Sequence, residues 1–175
     1  MLDLETAARA INAVMDGPNV TFRRVTTDSR DVRPGDLFIG IRGERMDGQA
    51  FADQALQAGA VAVMVSDRNA VKTGRASVLV VPDTRIALGQ LAAFWRSRFD
   101  IPLVAITGSN GKTTVKELLA SILREQAGSE AVLATAGNFN NDIGMPLTLL
   151  ALDARHRYAV IEMGMNHLEI GRAHV

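Results

Sequence analysis

The sequence predicts an α/β protein, a small N-terminal α/β domain followed by a parallel-sheet domain of the phosphate-loop ATPase type. Three observations predict it. Short apolar runs alternate with stretches of helical spacing, the signature of layered α/β folds. A glycine-rich turn, "TGSNGKTT" (107–114), sits between an apolar run and an amphipathic stretch. Hydrophobic residues make up 47% of the chain and charged residues 22%, which supplies a real core for 175 residues, the length of one or two domains.

The elements follow in order. "LDLETAARAINAVM" has helical spacing at Leu4, Ala7, Ala8, Ile11 and Val14, and Gly17-Pro18 ends the helix. The turn signal Pro34-Gly35 precedes a short apolar strand from Leu37 to Ile41. A helix carrying Ala52, Ala55 and Ala58 comes next, then the strands "AVAVMV" and "SVLVVP". The chain divides near "VVPDTRIALGQ", giving domains at 1–82 and 83–175. In the second, Leu88, Leu91, Ala92, Trp95 and Phe99 form a buried helical stripe, with Phe94, Trp95 and Phe99 read as packing residues without chemistry. After Pro102 a buried strand, "LVAIT", leads into the glycine turn, and the following helix sets Val115, Leu118, Leu119, Ile122 and Leu123 on one side. A last strand is "YAVIEMG". There is no internal repeat and no low-complexity tract.

Composition narrows the function classes. Nineteen basic residues balance nineteen acidic ones, so no global field draws the chain onto nucleic acid or an anionic membrane. The chain has no cysteine, which removes disulfides, thiolate metal sites and a cysteine nucleophile. "MLDLETAARAINAVMDG" carries acids where a secretory signal needs an apolar core, and no apolar run reaches the ~20 residues of a membrane span. The expectation is a cytoplasmic, monomeric protein without membrane insertion.

The glycine turn carries the chemistry. A phosphate loop needs converging backbone N–H groups at a helix N-terminus, glycines where side chains would collide with phosphate, a lysine for charge and a hydroxyl for Mg²⁺. Gly108, Ser109, Asn110, Gly111, Lys112, Thr113 and Thr114 supply these in order. The spacing is shortened, because the general pattern G-x-x-x-x-G-K-[ST] would put its first glycine where Ile106 stands. The competing reading is a plain glycine turn that caps the helix through Ser109 or Asn110. As a phosphate loop, Lys112 reaches the β- and γ-phosphates of ATP and Thr113 ligates Mg²⁺. Glu162, where the apolar run "YAVI" ends, stands where open parallel sheets carry active groups and suits a second Mg²⁺ ligand. Lys112 and Glu162 are the candidate catalytic residues, and hydrolysis, phosphoryl transfer and ligation all stay open on these residues alone.

"TGSNGKTTVKE" resembles the nucleotide loop of the Mur ligase superfamily, whose members join an amino acid or peptide to a carboxylate using ATP. "GNFNNDIGMPLTLL" (137–150) is similar to the asparagine-rich motif of one branch, and "IEMGMNH" (161–167) to that branch's next strand end. "TTDSRDVRPGDLFIGIRGERMDGQAF" (26–51) is similar to the uridine-nucleotide region of the family's N-terminal domain. The branch is the one that joins D-alanyl-D-alanine to UDP-N-acetylmuramoyl-tripeptide through an acyl phosphate, in peptidoglycan precursor synthesis.

The resemblance implies substrate contacts at Ser29 and Arg30, since a hydroxyl and an arginine fork suit a diphosphate. It also implies contacts at Asp47 and Gly48, where a turn role competes, and at Asn138 and Asn141 near the γ-phosphate. Gln49 departs from the histidine the family commonly has there. His156, between two arginines, reads as solvated surface, and His167 is left out of the catalytic set. The family's further metal-supporting lysine and its C-terminal domain are absent from the sequence, so the second domain reads as truncated. The last residues, "EIGRAHV", also break the family pattern and back-translate to adapter-like DNA, so the chain reads as a gene fragment that is inactive alone. Two other readings stand beside this one: a nucleotide-binding module without ligase activity, and another ligase of the superfamily, such as the tripeptide-forming enzyme or a folate polyglutamate ligase.

Overall fold

The computed structural model describes residues 1–43 and 46–164. The chain folds as two compact units, Met1–Leu91 and a second from Ala92 onward.

In the first unit, β1 (Leu2–Asp3) pairs antiparallel with β3 (Thr21–Phe22), and α1 (Leu4–Ala10) lies between them in the chain. Asp3 caps α1 by accepting from the Thr6 amide at 2.9 Å, which satisfies one free donor of the first turn. The helix is shorter than its apolar spacing predicts. Asn12 turns left-handed (φ 52°), a conformation asparagine tolerates better than most residues, and the chain leaves the helix there. Val14, expected on the buried helical stripe, instead opens β2 (Val14–Asp16) and is 68% exposed.

The main sheet of this unit has the order β2-β7-β6-β5-β4, with β4 Arg24–Thr26, β5 Asp36–Ile39, β6 Ala62–Val65 and β7 Ser77–Val80. β4 to β7 run parallel and β2 closes one edge antiparallel. The turn before β5 depends on Gly35, whose φ of 94° favours glycine. Asp36 opens β5 as a buried carboxylate held by the Arg24 guanidinium at 2.6 Å and the Arg33 amide at 2.8 Å. All four residues of β5 and of β6 are buried, as expected of parallel strands covered on both faces. A 3₁₀ turn at Gly48–Phe51 leads into α2 (Ala52–Gln57), whose Ala52 and Ala55 pack with Phe38, Val63, Val65 and Val78. Ala58, expected within the same helix, lies just beyond its end and is exposed.

The boundary between the units falls inside α3 (Thr84–Arg96). The aromatic residues at its end serve packing. The Trp95 indole N–H donates to the Leu152 carbonyl at 3.0 Å, and Trp95 meets Phe99 edge-on at 5.2 Å. Among its described residues the second unit has three parallel strands in the order β8-β10-β9, with β8 Leu103–Ile106, β9 Val132–Ala134 and β10 Tyr158–Glu162. α4 (Lys112–Ala127) follows β8, and α5 (Gly144–Leu150) precedes β10. β8, expected to be buried, is an edge strand of this sheet, and its Val104 is 41% exposed. α4 divides its apolar residues: Leu119 and Leu123 pack toward Val132 and Val160, whereas Val115, Leu118 and Ile122 face solvent. One apolar run cannot by itself distinguish a central strand from an edge strand. His156 is also more enclosed than its arginine neighbours imply, with its side chain 12% exposed and Nδ1 accepting from the Asp153 amide at 3.0 Å.

Candidate functional site

The glycine turn lies between the C-terminal end of β8 and the first turn of α4. Gly108 (φ 144°) and Gly111 (φ 77°) adopt backbone angles that L side chains rarely reach. No heavy atom lies within 4 Å of a Cβ placed on Gly111, so conformation rather than crowding demands glycine there. Gly111 is the N-cap of α4 and supplies no side chain, and neither Ser109 nor Asn110 caps the helix in its place. The first-turn amides of a sixteen-residue helix therefore face an uncapped end, an arrangement suited to an anion. The Lys112 ammonium folds back to donate to the Gly108 carbonyl at 2.6 Å.

Thr113 and Glu162 meet. The Thr113 hydroxyl donates to Glu162 Oε2 at 2.9 Å, across forty-nine positions of sequence. Glu162 ends the central strand of its sheet and is 2% exposed. Its Oε1 accepts from Asn140 Nδ2 at 2.8 Å, and its amide donates to the Thr135 hydroxyl at 2.9 Å. A buried carboxylate with two donors on its oxygens is held at one position. Gly164 carries the chain past this point, where an added Cβ would come within 2.9 Å of the Asn140 carbonyl.

The asparagines divide their work. Asn141 Oδ1 accepts from the amides of Gly144 at 2.7 Å and Ile143 at 3.2 Å, so its side chain is occupied at the start of α5. Asn138 is exposed and offers its carbonyl to the Asn140 amide at 2.7 Å. Asn140, which motif reading left out of the candidate set, is the residue that reaches Glu162. Its signal was its place within "NFNN", but only the fold separates the one that turns inward. His167 lies outside the described residues.

One hydroxyl and one carboxylate form a pair of hard-oxygen donors, the carboxylate steadied by the Asn140 amide N–H. That pair fits Mg²⁺, which is held by one or two carboxylates together with waters and substrate phosphates. Among the described residues there is no group of three or more His, Cys, Asp or Glu side chains arranged to hold a metal without such a substrate.

In the first unit the remaining candidates lie after the C-terminal ends of adjacent parallel strands, where open α/β sheets bind ligands. Ser29 and Arg30 form the turn after β4. Arg30 is 85% exposed at its side chain, and its guanidinium takes both oxygens of Asp28, at 2.9 and 2.8 Å. That hydrogen-bonded contact holds the Asp28 carboxyl down at about 2. After β5, Asp47 caps the 3₁₀ turn through the Gln49 amide at 3.0 Å. A Cβ on Gly48 would come within 2.6 Å of the Ile41 carbonyl, and one on Gly40 within 2.8 Å of Gln49 Cα, so both glycines allow close passage of backbone. Gln49 is buried and fully used: Oε1 accepts from the Ser66 amide, the Ser66 hydroxyl and the Asp67 amide at 2.6, 3.1 and 2.9 Å, and Nε2 donates to Asp47 Oδ1 at 3.1 Å. A neutral imidazole has one acceptor nitrogen and could not take all three donors.

Both halves of the chain match family models. The Mur ligase family catalytic domain matches residues 21–96, and the Mur ligase middle domain matches residues 106–175. The UDP-N-acetylmuramoyl-tripeptide–D-alanyl-D-alanine ligase of Haemophilus influenzae is 48% identical over 171 residues, which cover 95% of this chain and 37% of that protein. A crystal structure of MurF from Acinetobacter baumannii superposes with a TM-score of 0.83 at 39% identity, over 93% of this chain and 36% of that one. The MurF ligase of Thermotoga maritima, solved in complex with ADP, superposes with a TM-score of 0.73 at 34% identity, over 84% of this chain and 33% of that one. The chain thus spans about a third of the length of the relatives it matches. With Mur ligase models matching residues 21–96 and 106–175, the chain belongs to the Mur ligase family.

Proposed function

We propose that this chain is the uridine-nucleotide and ATP-phosphate part of a ligase that adds D-alanyl-D-alanine to UDP-N-acetylmuramoyl-tripeptide. The observation that carries this reading is the Thr113–Glu162–Asn140 constellation at the mouth of the glycine loop. A relative solved in complex with ADP supports nucleotide binding as part of this reading. In functional terms residues 1–82 serve the UDP-substrate and residues from 83 onward begin the ATP-binding domain, in a cytoplasmic enzyme. No helix among the described residues is long and apolar enough to cross a membrane.

The γ-phosphate of ATP passes to the tripeptide's terminal carboxylate, giving ADP and an acyl phosphate. The amine of D-alanyl-D-alanine then attacks the acyl carbon, and phosphate leaves as the amide forms. Mg²⁺ at Thr113 and Glu162 supplies charge neutralisation when bound. The amides from Gly108 to Thr114 hold the phosphates, and Lys112 leaves the Gly108 carbonyl to follow the transferring group. Asn140 keeps Glu162 aimed, Ser29 and Arg30 hold the uridine diphosphate with Asp47 and Gly48, and Asn138 contacts substrate beside the loop. Asn141 acts through the start of α5.

The test joins residues 1–164 to the remaining length of the Haemophilus influenzae relative. ATP-dependent formation of the UDP-linked pentapeptide is expected, with loss of turnover in Lys112→Ala while UDP-substrate binding survives. A product carrying a single added amino acid in place of the dipeptide would overturn the branch. Normal ligation by Lys112→Ala would overturn the role of the loop. The chain alone is expected to show no turnover at saturating ATP and Mg²⁺, because alignment of three substrates needs groups beyond this third of the enzyme.

A further inference from the structure

Among the described residues of the second unit, Lys116 is the largest buried polar side chain, with none of its surface exposed. It lies on α4 three residues after Thr113 and four after Lys112, on the face that meets the sheet. Its ammonium donates to the Thr135 carbonyl at 2.7 Å and to Glu117 Oε1 at 2.8 Å. The ammonium holds the Glu117 carboxyl below its ordinary range. Burying an ammonium is costly even when it is paired, and a methionine would fill the same space without that cost. Packing alone therefore does not account for a lysine here.

What the charge reaches is the strand end that anchors Glu162. Thr135 follows β9, and its amide donates to the Val160 carbonyl at 3.0 Å. Its carbonyl is taken by Lys116, and its hydroxyl accepts from the Glu162 amide at 2.9 Å. Glu162 in turn accepts from the Thr113 hydroxyl, one turn before Lys116 on α4. The four residues close a ring: helix, strand end, central strand and helix again. We infer that Lys116 is a positioning residue, which fixes Thr135 and through it the main chain of Glu162, so that the carboxylate meets Thr113 in a geometry ready for the cation of a metal–nucleotide complex. This rests on the proposed role of Thr113 and Glu162.

The experiment uses the chain as it stands, with Lys116→Met, Thr135→Val, the double variant and Lys116→Arg. Two measurements are made on each: amide hydrogen exchange along β10, and calorimetric affinity for ATP with and without Mg²⁺. Lys116→Met is expected to speed exchange at the Glu162 amide by about 10-fold and to weaken MgATP by about 10-fold, the scale on which residues behind a metal ligand act, leaving metal-free ATP and the Val160 amide unchanged. Thr135→Val, which keeps the carbonyl that Lys116 holds, is expected to do the same. The double variant is expected to be no worse than Thr135→Val alone, and Lys116→Arg to restore Glu162 protection.

Unchanged exchange at Glu162 in Lys116→Met overturns the inference, as do equal loosening of all of β10, parallel loss of metal-free ATP, or additive effects in the double variant. Should Lys116→Met fail to fold, Thr135→Val decides, since an unmoved Glu162 amide there removes the relay. If the unaltered chain binds no MgATP, the reading of the site fails, and the exchange arm still decides whether Lys116 positions Glu162.

Discussion

The two sheets of this molecule are built from similar strands and end in different conditions. In the first unit β5 and β6 are buried along their whole length, and α2 covers their apolar side with Ala52 and Ala55. In the second unit β8 is half open, and α4 turns Val115, Leu118 and Ile122 to solvent. Directed polar bonds hold strand ends in both: Gln49 ties Asp47, Ser66 and Asp67 in the closed unit, and Glu162 gathers Thr113, Thr135 and Asn140 in the open one. A strand end can therefore be organised by directed hydrogen bonds even while the sheet behind it leaves apolar surface uncovered. Closed packing and an ordered site are separable properties.

The difference can be broken most severely in the first unit. Phe38→Ala removes a large side chain from the closed core and is expected to cost about 3–5 kcal/mol, read as a lower denaturant midpoint for that unit. In the second unit Ala120 is buried against the sheet, and Ala120→Leu is expected to cost about 1–3 kcal/mol by overpacking. If Phe38→Ala costs less than Ala120→Leu, the contrast in closure is wrong. Hydrogen exchange on the unaltered chain sharpens the same point: β5 and β6 amides should be slower than those of β8, and equal protection would erase the distinction. Leu118→Lys lies on the open face of α4 and is expected to stay within about 0.5 kcal/mol of the parent in thermal unfolding.

The smallest effect concerns Asp28 and Arg30. The Asp28 carboxyl titrates at about 2 in the folded chain against an ordinary 3.8, because Arg30 hydrogen-bonds to it. Its contribution to stability is therefore present above pH ~4 and lost as pH falls toward 2. Both groups are exposed, so solvent screening keeps the contribution small. Arg30→Gln should return the Asp28 carboxyl toward its ordinary value in an NMR titration, and an unmoved titration would show that the pair does not persist in solution.

Local chemistry made the glycine turn before α4 legible. Its glycines, lysine and threonines are adjacent in sequence, and their conformations follow from backbone preference. The strands at 36–39, 62–65 and 77–80 were legible as short apolar runs bounded by turns. β2 and β4 were not, because three residues carry too little pattern and owe their pairing to neighbours. The exposure of β8 was hidden for a related reason: an apolar run does not state which neighbours cover it. In the candidate site Thr113 and Glu162 could each be placed by motif and strand end. Asn140 and Thr135 could not, since their roles arise from which side chain turns inward after folding.

Gln49 has one further consequence. It joins the turn after β5 to Ser66 and Asp67 after β6, and it also holds Asp47. Segments tied in this way no longer sample conformations independently, so the configurational entropy surrendered in fixing them is surrendered once, when the chain folds. A molecule that settles against residues 47–49 meets a surface whose ordering across 66–67 is already complete. Its affinity there is set by contact and desolvation rather than by the ordering of two loops.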